Sequence, residues 1–353
     1  MVNAGQASRL EKEFSRFAKA IAILAVVFLH LLSSLFPKTI YTLEDSRLVF
    51  IILNQLCRFS VPLFLALSGF GLARKYQAQT LSIKGFLFDR AKRLLPSYLI
   101  WSLILAAAFR VSNTWYQDGV NIWPGILFGE VDYHLYFVPL IFQLYLFFLC
   151  LPVIKNRRRL FWLLIGAGLV QMFWFGLIRL LPRNGIISFG SFWQDDQLQY
   201  RLLGNWLFYF LLGYFLAQVN LAAACVNKRI RSLFGVMVLG GLTWAIYDSW
   251  RLIAFTGDVI YATSFTRLPV LFYSAGIISL GLIYGPSLLG PRILSWRPLQ
   301  FIGRYSYLIY LSHTLILRII KGLIVGGQTT STLLAATILV SAGVVLTRPL
   351  SSG

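Results

Sequence analysis

Apolar runs of about 20 residues, the length a helix needs to cross a bilayer, recur along the whole chain with short polar segments between them. They predict about ten spanning helices, at 17–36, 48–73, 94–112, 134–154, 160–181, 204–219, 233–250, 267–289, 299–323 and 331–346. The expected fold is all-α, a polytopic transmembrane helical bundle. The second run carries Pro62, which removes a backbone donor and predicts a kink or break near Arg58.

The polar segments alternate in charge. Arg74, Lys75, Lys84, Arg90, Lys92 and Arg93 fill the second, Lys155 and Arg157 to Arg159 the fourth, Lys228, Arg229 and Arg231 the sixth, and Arg292 and Arg297 the eighth. The odd-numbered segments carry most of the acids: Glu44, Asp45, Asp118, Glu130, Asp132, Asp195, Asp196 and Asp258. Basic loops stay inside, so both termini are expected in the cytoplasm.

Composition agrees. With 58% hydrophobic and 12% charged residues and a mean hydropathy of +0.72, the chain lacks the polar groups to cover a soluble globule. A net charge of +20 would suggest nucleic acid in a soluble protein, but here it follows the positive-inside pattern, so no nucleic-acid partner is expected. Cys57, Cys150 and Cys225 have no C-x-x-C spacing, which predicts neither a metal site nor a disulfide framework. No internal repeat or long polar stretch marks a second domain. One membrane domain, 1–353, is expected, with 1–16 as a cytoplasmic cap on a retained helix and 348–353 as a tail.

Ionisable residues inside apolar runs are the candidates for chemistry, because lipid makes them costly. All three histidines, His30, His134 and His313, fall within or at the end of a predicted span. Each is either a packing residue or a titratable group at a site. Lys19 lies eleven residues before His30, about 16 Å away and on the same face of a helix. That spacing suits a site entered from the cytoplasm, and an interfacial anchor is the plainer role for Lys19. Arg58 either lines a cavity beside the Pro62 kink or sits at the outer interface. Arg90 and Arg93, three apart, share a helix face that fits bidentate phosphate binding or lipid headgroups. No P-loop, Rossmann fingerprint or zinc motif is present.

Five segments in order resemble the acyltransferase-3 family, the polytopic membrane O-acyltransferases that decorate bacterial surface polysaccharides. They are Lys19 to His30; Val61-Pro-Leu-Phe-Leu-Ala-Leu-Ser-Gly-Phe70; Arg90-Ala-Lys-Arg-Leu-Leu-Pro-Ser-Tyr98; His134-Leu-Tyr-Phe-Val138; and Phe301-Ile-Gly-Arg-Tyr-Ser-Tyr-Leu-Ile-Tyr-Leu-Ser-His313. The sequence departs from the family pattern at Arg16, where an acid is common, at Lys19, where Arg is common, and at Asp89, where a second basic residue often precedes Arg90.

The resemblance implies transfer of an acetyl or other short acyl group from cytoplasmic acyl-CoA to a glycan hydroxyl at the bacterial inner membrane, without a metal. His30 would be the general base and Lys19 its partner. Arg74, Lys75, Arg90 and Arg93 would hold the phosphates of acetyl-CoA. Arg58, Ser68, Tyr98, His134, Tyr307 and His313 would line the site. The competing reading is a transporter or flippase for a lipid-linked glycan, with intramembrane histidines relaying protons.

Overall fold

The computed structural model describes residues 4–35, 44–76, 82–111, 122–151, 156–180, 200–219, 227–325 and 347. These residues are almost entirely helical. In chain order the elements are α1 (Ala4–Leu35), α2 (Glu44–Cys57), α3 (Ser60–Tyr76), α4 (Ile83–Val111), α5 (Ile122–Phe128), α6 (Phe137–Cys150), α7 (Arg157–Leu180), a 3₁₀ turn (Leu203–Asn205), α8 (Leu207–Gln218), α9 (Lys228–Thr256), α10 (Val259–Ala262), α11 (Leu268–Leu294), α12 (Arg297–Arg304) and α13 (Ser306–Val325).

Among the described residues, six stretches are long and apolar enough to cross a membrane: Arg9–Ser34, Ser46–Tyr76, Ile83–Phe109, Arg158–Gly176, Lys228–Thr256 and Leu268–Leu294. Phe137–Leu149 and Leu207–Gln218 are apolar but shorter, so the runs at 134–154 and 204–219 yield less helix than expected. The run at 299–323 is interrupted at Tyr305, between α12 and α13. The run at 331–346 lies outside the described residues.

Local chemistry sets the breaks. The run at 48–73 is interrupted at Arg58 and Phe59, and Pro62 falls in the first turn of α3, where its missing N–H costs nothing. Asn227 caps α9 by accepting from the N–H groups of Arg229 and Ile230. Gly257 closes the same helix at φ 68°, a left-handed conformation that favours glycine. Asp258 caps α10 through the N–H of Tyr261. Gly290, at φ 67°, interrupts α11 just ahead of Pro291.

The described residues within Met1–Gln79, Val153–Trp193 and Gly204–Gly303 form one compact unit, unit 1; those within Thr80–Pro152, Gln194–Leu203 and Arg304–Gly353 form unit 2. In unit 1, α9 buries Gly241, Ala245, Ser249 and Ile253, four residues apart, and exposes Leu233, Val236, Leu239 and Phe255. A soluble helix does the reverse. Small residues turned inward and large apolar ones turned outward are how helices pack when lipid is the solvent.

In unit 1, α3 crosses α8 at close range. A methyl group placed on Gly213 would stand 1.9 Å from the carbonyl oxygen of Ala66, and one on Gly69 would stand 2.1 Å from that of Phe210. The two glycines let the backbones meet without intervening side chains. In unit 2 the core is aromatic and aliphatic, with Trp101, Leu105, Leu135, Leu311 and Leu315 fully or nearly buried. The indole N–H of Trp101 donates to Thr347 at 3.2 Å.

Replacing Gly213 with Ala should therefore lower the melting temperature of the purified protein in detergent, by an overpacking cost of about 1–3 kcal/mol. Gly71→Ala, which meets nothing within 4 Å, should leave it unchanged or slightly higher. Equal effects at the two positions would contradict the close crossing.

Candidate functional site

In unit 1, α1 runs from Ala4 to Leu35 without interruption, because no proline or glycine falls between Gln6 and Leu35. Phe14, Ala18, Ala22 and Val26 form its buried stripe. Lys19 and His30 are both half-buried on this one helix. Eleven residues at about 100° each bring them to within about 20° of one another around the axis, about 16 Å apart. The spacing read from sequence thus survives as real geometry.

The other unit 1 candidates are engaged locally. Arg58, at the α2–α3 break, donates to Asn54 Oδ1 at 2.8 Å and to Thr263 Oγ1 at 3.2 Å. Beside it, buried Gln55 donates to Ser249 Oγ at 3.0 Å, and the Ser249 hydroxyl donates in turn to the Ala262 carbonyl at 2.9 Å. Ser68 returns its hydroxyl to the Phe64 carbonyl of its own helix at 3.0 Å. Arg74 is exposed and meets Glu11 at 3.2 Å, a surface pair weak enough for an anion to compete with. Lys75 is exposed beside the ring of Tyr76.

Unit 2 gathers the remaining candidates. Arg90 holds its guanidinium over two rings, Phe86 at 5.2 Å and Tyr145 at 5.3 Å. Its Nε is buried and has no hydrogen-bond partner among the described residues. Arg93, one turn on, is exposed. This pair presents donors in the form a phosphate accepts. Tyr98 donates to the Ile126 carbonyl, Tyr307 to that of Leu94 at 2.9 Å, and Tyr310 to that of His134. These hydroxyls tie α4 to α5 and to α13, and α13 to the 129–136 turn.

A buried polar cluster of unit 2 centres on Asp132, in that turn. Its carboxylate accepts both guanidinium nitrogens of Arg318 at 2.9 Å each, the Thr314 hydroxyl at 2.8 Å and the Tyr133 N–H at 2.9 Å. Arg318 also lies over the Phe109 ring at 4.4 Å. His134 Nδ1 stands 3.4 Å from the same carboxylate, and its ring packs at 4.9 Å against that of His313. Asp132, grouped above with the acids of the odd-numbered polar segments, is fully buried. His134 lies in the turn ahead of α6, not inside a spanning helix.

Asp132, Thr314, Tyr310 and Arg318 were not among the candidates from sequence. Arg318 carried a signal all the same: it is an ionisable residue inside the apolar run at 299–323. The buried Arg267, bonded through Nε to Asp248 at 2.9 Å in unit 1, is a second such case. Asp248 lay inside the run at 233–250.

Helices with apolar outward faces and charges paired inside them define a multi-pass membrane protein. Comparison with known proteins names its class. An acyltransferase domain model matches residues 13–349, across both units, and the chain belongs to the acyltransferase-3 family and is an acyltransferase. It is similar to YfiQ of Bacillus subtilis (strain 168), whose name classes it as a membrane-bound acyltransferase: 24% identity over 307 residues, 84% of this chain and 78% of YfiQ. It is also similar to the O-acetyltransferase OatA of Staphylococcus aureus (strain NCTC 8325 / PS 47), 26% identical over 299 residues. That match covers 76% of this chain and 47% of OatA, so the chain spans about half of that relative. No solved structure matches.

Burial alone would push the Asp132 carboxyl up, but neighbouring His134 and Arg318 outweigh it and hold the group well below the usual carboxylate range. A carboxyl depressed in the folded state stabilises above its unfolded value, near 3.9, and loses that contribution as pH falls through the folded value. The melting temperature in detergent should fall progressively below about pH 5, and less steeply in Asp132→Asn. The same slope in both proteins would contradict this role.

Proposed function

We propose that this acyltransferase moves an acetyl or other short acyl group from cytoplasmic acyl-CoA to a hydroxyl of a cell-surface or exported glycan, with His30 as general base. The observation that carries the reading is α1: an unbroken helix holding Lys19 and His30 on one face, at the start of a chain matched by an acyltransferase domain from residue 13. The name of OatA supports O-acetyl transfer, and the family resemblance supports a glycan as acceptor.

On this reading the whole chain is one membrane domain of about ten spans in the bacterial cytoplasmic membrane, both termini inside. The basic second loop then faces the acyl-CoA pool. Arg90 and Arg93 fit the CoA phosphates, and exposed Lys75, with Arg74 shared with Glu11, adds positive potential.

The chemistry follows from the groups. His30 takes the proton of the acceptor hydroxyl as its oxygen bonds to the thioester carbonyl carbon. The tetrahedral intermediate collapses, the C–S bond breaks, and the imidazolium returns the proton to sulfur. The products are a glycan ester and CoA thiol. Lys19, on the same face as His30 and three turns nearer the N-terminus, adds positive charge on the side from which the anionic donor enters.

Purified protein given radiolabelled acetyl-CoA and candidate glycans should place label on sugar. His30→Ala should lower the rate by about 10²–10⁴, the range of a general base, and transfer at the wild-type rate would remove His30 from that role. Replacing Arg90 and Arg93 together with Ala should raise KM for acyl-CoA about tenfold or more, with little change in kcat. An unchanged KM would exclude them from donor binding.

A further inference from the structure

The first half of α1 carries its cations on one face. At about 100° per residue, Arg9, Lys12, Arg16 and Lys19 fall within about 80° of one another around the axis, and His30 falls inside the same arc. The stripe of Phe14, Ala18 and Ala22, buried in the core of unit 1, lies on the far side of the helix. The acids of α1 are Glu11 and Glu13, and both are taken: Glu13 pairs with Arg9 at 2.9 Å and Glu11 with Arg74 at 3.2 Å. Among the described residues, Lys12 and Arg16 have no carboxylate partner.

This stretch is clamped from within unit 1. Gln300 of α12 donates its amide to the Glu13 carbonyl at 2.8 Å and to the Leu294 carbonyl at 2.5 Å, which joins α1, α12 and the end of α11. A methyl group on Gly303 would collide with the Arg16 carbonyl, so α12 lies directly against the α1 backbone at that residue. One on Gly285 would strike the Phe14 ring, so α11 closes on another side. Lys12 is exposed and Arg16 and Lys19 are half-buried, so the basic face leads inward from solvent. One turn past Lys19, Ile23 on the same face is fully buried, so protein and not lipid covers it at that depth.

The spacing along the face fits the donor. Along the helix axis, Lys19 lies about 16 Å and Arg16 about 21 Å from His30. The pantetheine arm of CoA runs through about 13 bonds from phosphorus to the thioester sulfur, and at the advance of an extended peptide, about 1.2 Å per bond, it spans about 15 Å. A thioester at His30 thus sets the diphosphate at the level of Lys19 and Arg16. The 3′-phosphate of the adenosine then falls nearer solvent, at the level of Lys12.

We propose that Arg16 and Lys12 are donor-binding residues: Arg16, beside Lys19, takes the diphosphate of the acyl-CoA, and Lys12 takes its 3′-phosphate. The inference rests on the acyl-transfer reading above, and it needs no group outside unit 1. A guanidinium offers the diphosphate paired donors, and the clamp at Gly303 and Gln300 fixes the backbone from which it reaches. The acid common in the family at position 16 would repel the same phosphates, so this grip on the donor is a property of this chain.

The test uses the full chain in lipid nanodiscs with three donors: acetyl-CoA, acetyl-dephospho-CoA, which lacks the 3′-phosphate, and acetyl-pantetheine, which lacks every phosphate. Arg16→Ala should raise KM about tenfold for the first two and leave that for acetyl-pantetheine unchanged, with kcat within about twofold throughout. Lys12→Ala should raise KM for acetyl-CoA alone, by about fivefold at this exposed position. Arg16→Lys should recover part of the loss. Nanodiscs of phosphatidylcholine alone and of phosphatidylcholine with phosphatidylglycerol separate a donor phosphate from a lipid headgroup, and the Arg16→Ala penalty should be present in both. An unmoved KM for acetyl-CoA, an equal penalty on acetyl-pantetheine, or a penalty confined to the anionic nanodiscs would overturn the proposal and leave headgroup anchors. If Arg16→Ala does not fold, Arg16→Gln and Lys12→Ala decide by the same readouts. Absence of label transfer by the wild-type protein from any donor would sink the acyl-transfer reading, whereas wild-type transfer with KM unmoved in the variants sinks this inference alone.

Discussion

A charge held away from water has to be solvated by the protein itself, and unit 2 is arranged around one such charge. The Asp132 carboxylate collects a bidentate arginine, a hydroxyl and a backbone N–H from its own turn and from α13. Loss of any one donor would leave a buried charge underpaired, which is far more costly than the net worth of the pair. The same necessity recurs along the chain. Tyr98, Tyr307 and Tyr310 hand their hydroxyls to carbonyls, Gln55 and Ser249 form a relay to Ala262, and Arg267 meets Asp248. Each of these bonds joins segments distant in sequence or bridges a helix break. Polar satisfaction in an apolar solvent thus does much of the work of fixing helix positions within each unit.

Where no polar group needs a partner, close backbone approach takes over. Gly69 and Gly213 bring α3 against α8, and the Gly241, Ala245, Ser249 stripe does the same for α9. With lipid as apolar as leucine, burying large side chains brings little advantage, and contact area between backbones brings more. This gives Gly69 of the Ser-Gly-Phe segment a packing function, while its neighbour Ser68 spends its hydroxyl on its own helix.

The family tie and the physical reading meet at the ionisable residues. An acyl transfer needs a base, donors for an anionic phosphate carrier and a place for one proton. The proposed reading assigns the base to α1 with Lys19 and His30, and the phosphate donors to Arg90, framed by Phe86 and Tyr145, with Arg93. Arg58 fits none of them directly, since it secures the end of α2 against Thr263.

Much of this was written into the order of residues. Hydrophobic run length dictates helices, because the backbone at membrane depth has no other way to bond itself, and the spacing of eleven between Lys19 and His30 follows from helical periodicity alone. Pro62 marked the break at Arg58 for the same local reason. What remained illegible was everything that depends on which distant segments meet. Asp132 reads as a loop acid, and only its meeting with Arg318 and Thr314, more than 180 residues away, makes it a buried anchor. His134 and His313 were visible as candidates, but no local pattern could pair them. Periodicity and run length are properties of neighbours in sequence, whereas the pairing of charges is a property of neighbours in space.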